Sequence, residues 1–107
     1  MDDLTQRAIE AMVQRLVECF APDQIILFGS QARGGASPGS DVDLLVIMPV
    51  TGSKREKRVE MRVALHDITV PKDILLATPE EVIRDRDLVG SLVQPVLREG
   101  KVLYVRP

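Results

Sequence analysis

The sequence predicts an α/β (α+β) domain, a small β-sheet flanked by helices, on three observations. Two apolar runs, Ile25-Ile26-Leu27-Phe28 and Leu44-Leu45-Val46-Ile47-Met48, are bounded by polar turn residues and glycine; short apolar runs with such borders read as buried strands. An apolar stripe at helical spacing, Ile9, Met12, Val13, Leu16, Val17 and Phe20, precedes the first run and marks an amphipathic helix. Ser53-Lys54-Arg55-Glu56 and Thr78-Pro79-Glu80-Glu81 each place a hydroxyl residue three positions before a glutamate, the pattern of a capped helix start.

Taken in order, the first helix spans 4–20, capped by Asp3 and ended by Pro22. Cys19 within it reads as a buried structural thiol. The first strand covers 24–28 and the second 41–48. Between them, Gly29-Ser30-Gln31-Ala32-Arg33-Gly34 reads as a tight glycine turn followed by one helical turn. Residues 34–40 are rich in Gly and Ser, include Pro38, and are expected to be mobile without ligand. Pro49 to Gly52 makes a turn, and the helix opened by Ser53 runs to about His66 with Val59, Val63 and His66 on one side. Lys54, Arg55, Lys57, Arg58 and Arg62 make it the basic part of the chain, either a solvated face or a docking surface for an acidic partner or RNA. A third strand lies within Ile68 to Ala77, with Pro71 near its beginning or on an edge. The helix from Thr78 runs to about Arg86 and turns Val82 and Ile83 inward. Leu88 to Arg98 is read as helical, weakened by Gly90 and Pro95 and stopped by Gly100. Residues 102–105 form the last strand, so 1–107 make one domain.

Bulk properties narrow the function classes. A length of 107 residues suits one compact domain. The net charge of −2 supplies no general basic surface for nucleic acid, so an anionic nucleotide needs local cations or a metal. There is no Trp, and only Phe20, Phe28 and Tyr104 are aromatic, which leaves few stacking platforms for single strands. Cys19 is the single cysteine, excluding an internal disulfide and fitting a reducing cytoplasm. No apolar run reaches the ~18 residues of a membrane span, and Asp2 and Asp3 are the opposite of a basic signal-peptide start.

The chemistry concentrates between the first two strands. Gly29 lets a ligand approach the backbone, and the turn that follows presents free N–H groups of the kind that bind phosphate. Ser30 adds a hydroxyl, and Arg33 a planar cation suited either to phosphate oxygens or to a structural salt bridge behind the loop. Asp41 and Asp43 are two apart, so on a strand both emerge on one face. Converging carboxylates repel unless a cation sits between them, and Mg²⁺ suits carboxylates shared with a substrate phosphate. Asp73 stands just before Ile74-Leu75-Leu76, where a buried carboxylate calls for a partner or a metal; the alternative is an exposed aspartate at a strand start. Other sites are excluded. The glycine loop lacks the Gly-Lys-Ser/Thr ending of a P-loop. An EF-hand opened by Asp41 would place Val46 and Gly52 where Gly and Glu are needed. His66 and Cys19 make no zinc set, and no hydrolytic triad is present.

The segment Gly29-Ser30-Gln31-Ala32-Arg33-Gly34 followed by Ser40-Asp41-Val42-Asp43-Leu44 resembles the signature of the DNA polymerase β-type nucleotidyltransferase superfamily. The short chain points to its smallest branch, the minimal nucleotidyltransferases (MNT) paired with HEPN-domain partners in toxin–antitoxin systems. The resemblance implies a polymerase β-like fold with a small mixed sheet, ATP as substrate and Mg²⁺ as cofactor. It further implies Asp41, Asp43 and Asp73 as catalytic metal ligands, and Gly29, Ser30 and Arg33 as nucleotide-binding residues. Lys72 departs from the apolar residue usual before the third acid. The implied reaction moves AMP from ATP to a hydroxyl of a HEPN toxin, in an assembly with that partner. The alternatives are a non-catalytic binding antitoxin with a vestigial nucleotide site, or transfer to RNA or a small molecule.

Overall fold

The computed structural model describes residues 2–34 and 40–107; most of the linker expected to be mobile (34–40) lies outside them. In chain order the elements are α1 (Asp3–Phe20), β1 (Gln24–Phe28), α2 (Ser30–Arg33), β2 (Val42–Ile47), α3 (Lys54–Ala64), β3 (Lys72–Ala77), α4 (Pro79–Asp85), α5 (Val93–Glu99) and β4 (Lys101–Val105). The four strands form one sheet in the order β3-β2-β1-β4. β1 runs antiparallel to both β2 and β4, while β2 and β3 are parallel. A parallel pair needs a long crossover, and α3 provides it. The mixed sheet flanked by helices is the predicted architecture.

Strand alternation sorts the core into two faces. Ile25 and Leu27, Val42, Leu44 and Val46, and Ile74 and Leu76 point to one side, where they pack with Ile9, Met12 and Leu16 of α1 and with Met61 and Leu65 at α3. Ile26, Leu45, Ile47 and Ala77 point to the other, where Val96 of α5 covers them and Phe28, Leu75 and Val82 pack alongside. The second face is the smaller, and its uncovered end carries Asp43 and Asp73. Arg15 of α1 donates to the Ala64 carbonyl at 2.6 Å and grips Asp67 through two nitrogens at 2.8 and 3.2 Å. Its guanidinium, hydrogen-bonded to the carboxyl, holds Asp67 at about 2.

Several local expectations change. Asp2, not Asp3, caps α1, its Oδ1 accepting from the Thr5 N–H at 2.7 Å. Cys19 is exposed, because it falls on the shoulder of the stripe centred on Ile9 and Leu16. Val59 and Val63 are 49% and 63% exposed, and α3 instead buries Met61, the residue that faces α1. Ile83 is 63% exposed and only Val82 turns inward, since α4 is short and touches the sheet along one edge. The helix expected over Leu88 to Arg98 exists only as Val93–Glu99. Gly90, at φ 91°, interrupts it, while Pro95 falls in its first turn, where no N–H partner is lost. β3 is shorter than the run containing it and starts after Pro71, and Lys72 donates back to the Ile68 and Val70 carbonyls.

The caps at Ser53 and Thr78 form as the sequence predicts. Ser53 accepts from the Glu56 N–H. Thr78 and Glu81 make a complete reciprocal box at 3.2 and 2.9 Å. Gly100 ends α5 in extended rather than left-handed backbone; its glycine is required by crowding instead. A Cβ there would lie 2.5 Å from the Val96 carbonyl oxygen and 2.9 Å from that of Leu27. Gly100→Ala is therefore expected to destabilise the fold by about 1–3 kcal/mol, an overpacking effect, measured by urea denaturation. Thr78→Ala should cost about 1 kcal/mol in the same assay through loss of the cap.

Candidate active site

The β1–α2 turn and the starts of β2 and β3 meet at one end of the sheet. Phe28, the last residue of β1, is the register partner of Asp43, so Gly29 emerges directly beside that carboxylate. Gly29 has φ 74°, a left-handed backbone that glycine tolerates. A Cβ at this position would lie 2.2 Å from Asp43 Oδ2. Both backbone conformation and space therefore demand glycine here. The carbonyl of Gly29 accepts from the N–H groups of Ala32 and Arg33 at 3.1 and 3.2 Å, closing the single turn of α2. Ser30 opens that turn partly exposed, and Arg33 ends it exposed.

Asp43 pairs in parallel register with Asp73. Alternation places both on the second face, each at the open end of its strand. Asp43 is half-buried and Asp73 exposed. Asp41 is exposed and stands before β2, which begins at Val42; the sheet orients Asp43 but does not itself hold Asp41. The Asp43 carboxyl is pushed above its ordinary value of 3.8, first by burial and then by the negative charges of Asp73 and Asp41. Arg33 acts in the opposite direction. The three acids and the arginine thus share one electrostatic neighbourhood.

Repulsion of this kind is relieved by a cation, and the donors are hard carboxylate oxygens of the type Mg²⁺ takes. The residues fit such an ion in chemistry. Among the described residues, however, no group of three His, Cys, Asp or Glu side chains is already gathered as a metal cage.

Gln31 was not anticipated from sequence. It is buried, and its Nε2 donates to the Ser40 carbonyl at 3.1 Å, tying α2 to the approach to β2. A polar residue between Ser30 and Ala32 carries no sequence signal for such a clamp. A small depression of about 110 Å³ adjoins Gly29 and Arg33, walled by Leu92, Pro95 and Glu99.

A family model for the nucleotidyltransferase domain matches residues 7–101. This chain belongs to that family. Solved structures agree in fold. A toxin–antitoxin crystallised with AMP-PNP is 26% identical with TM-score 0.62, over 90% of this chain and 73% of the other. Two structures of mutant MntA–HpeT toxin–antitoxin are 21% and 25% identical, with TM-scores of 0.61 and 0.59. They align over 90% and 91% of this chain and 71% and 72% of theirs. No curated protein matches. Among the described residues of this nucleotidyltransferase domain, no helix is long and apolar enough to cross a membrane.

Two outcomes test the geometry. Carboxyl ¹³C NMR should place the Asp43 midpoint above 3.8, and Asp73→Asn should lower it part-way, because burial remains. Since the folded-state value is raised, ionised Asp43 opposes folding. Asp43→Asn should therefore stabilise the domain at neutral pH, with the gain fading as pH falls through the Asp43 midpoint toward the ordinary carboxylate range.

Proposed function

We propose that this domain is a Mg²⁺-dependent nucleotidyltransferase that moves AMP from ATP to a hydroxyl on a partner protein, as the antitoxin of a HEPN toxin. The observation that carries the reading is the parallel pairing of Asp43 with Asp73 beside a turn that admits only glycine. Membership in the nucleotidyltransferase domain family supports the reaction class. The neighbouring toxin–antitoxin structures, one crystallised with AMP-PNP, support the nucleotide and the kind of partner.

In this reading Gly29 and Ser30 receive the β- and γ-phosphates, the glycine by allowing close backbone approach and the serine through its hydroxyl. Arg33, exposed at the end of α2, offers a cation to the phosphate oxygens. Asp41, Asp43 and Asp73 hold the metal. When bound, Mg²⁺ supplies charge neutralisation for the attacking and leaving oxygens. Asp73, at the open rim of β3, faces the incoming acceptor hydroxyl and favours its deprotonation. The oxygen attacks the α-phosphorus, and pyrophosphate leaves. The raised Asp43 carboxyl predicts that metal binding competes with a proton and strengthens as pH rises through that midpoint.

The test is incubation of the domain with α-³²P-ATP, Mg²⁺ and the product of the adjacent gene. Label on the partner protein is expected, with loss of at least ~10²-fold in Asp41→Asn and Asp43→Asn, on the scale of removing a group that stabilises transition-state charge. Unchanged rates in those variants would refute the metal assignment. Label on RNA would replace the acceptor and keep the chemistry. Neutralisation of the partner that survives both substitutions would favour a binding antitoxin with no catalytic role.

A further inference from the structure

The face that carries Asp43 and Asp73 also bears a cavity of about 440 Å³, within the range of small-molecule sites. Its floor is Leu45 and Leu75. Each is the next same-face residue beyond Asp43 or Asp73, roughly 6–7 Å along its strand. Leu92 and Val93 form one wall, and α3 forms the other with Arg55 and Arg58.

The charges on this cavity are unevenly engaged. Of the two lining acids, Glu81 accepts from Lys54 at 2.8 and 3.0 Å and Asp85 is bound by Arg84 at 2.7 Å; both are held below their ordinary values by those bonds. Arg55 and Arg58 make no ion pair among the described residues. The Nε of Arg58 is buried with no hydrogen-bond partner. A buried donor left unmatched is costly, and the terminal nitrogens of a cavity-lining arginine without an ion pair suit a bidentate oxyanion. An apolar floor beside two unengaged arginines fits a ligand with both characters.

We propose that this cavity binds an oxyanion carried on an apolar body, a phosphate monoester or carboxylate, with its head on Arg58 and Arg55 and its body on Leu45 and Leu75. The site lies on the side of Asp43 away from Gly29. If the transfer reading above holds, this is the acceptor's side rather than the triphosphate's; the binding itself does not depend on that reading.

The probes are phenyl phosphate and benzoate, with benzyl alcohol as the neutral control, titrated into the ¹⁵N-labelled chain. Saturable shifts are expected at the Arg58 Nε–H and at the Leu45 and Leu75 amides. Arg58→Met should weaken them by roughly tenfold or more, the scale of a lost charge-assisted bond. Binding of phenyl phosphate alone assigns a phosphate monoester; binding of benzoate as well admits a carboxylate. Equal binding of benzyl alcohol, equal affinity in Arg58→Met, or no saturable shift at the Arg58 Nε–H of the unsubstituted chain overturns the proposal. A parallel MgATP titration reads Gly29 to Arg33, so failure of the nucleotide site and failure of this cavity are seen separately.

Discussion

The parallel pairing of β2 with β3 is the constraint on which the rest of the site depends. It sets Asp43 against Asp73 at the end of two strands whose other positions on that face are Leu45, Ile47, Leu75 and Ala77. Two like charges side by side at the margin of an apolar surface are an unfavourable arrangement for stability, and they add to the burial that first raises the Asp43 carboxyl. Packing gives no reason for it. A cation between them would relieve it.

The sheet bears that repulsion because its opposite face is the main core. Ile25, Leu27, Val42, Leu44, Val46 and Ile74 are buried against α1 and α3, which fixes the register of each strand. A one-residue slip would exchange the two faces and bury the acids. The Arg15–Asp67 pair and the bond to the Ala64 carbonyl join α1 to the end of α3. That clamp holds the crossover closed from the side away from the chemistry. Rigidity on one face thus supports an open, charged edge on the other.

The second face is only half covered, because α4 and α5 are both short. The cover leaves room for the acids at the strand ends and for the cavity beside Arg58. α3 contributes to both faces of the molecule: Met61 seals the main core, while Arg55 and Arg58 look over the acid-bearing side. A single crossover helix therefore links core packing to the surroundings of the candidate site.

Much of this was legible in the chain itself. The apolar runs at 25–28 and 44–48, the caps at Ser53 and Thr78, and the glycine turn before Ser30 are local signals, each written in adjacent residues. The spacing of Asp41 and Asp43, and the place of Asp73 just before Ile74-Leu75-Leu76, marked the acids before any register was known, but the burial expected of Asp73 is not found, because it stands exposed at the start of its strand. What required the tertiary structure was non-local: the pairing of Asp43 with Asp73 across strands, the clash that bars a side chain at Gly29, the clamp from Gln31, the exposure of Cys19, Val63 and Ile83, and the cavity at Arg58. Local periodicity says which residues share a face. Only packing says whether that face meets a neighbour or water, because burial is a property of two surfaces and the sequence of one element describes a single side of the contact.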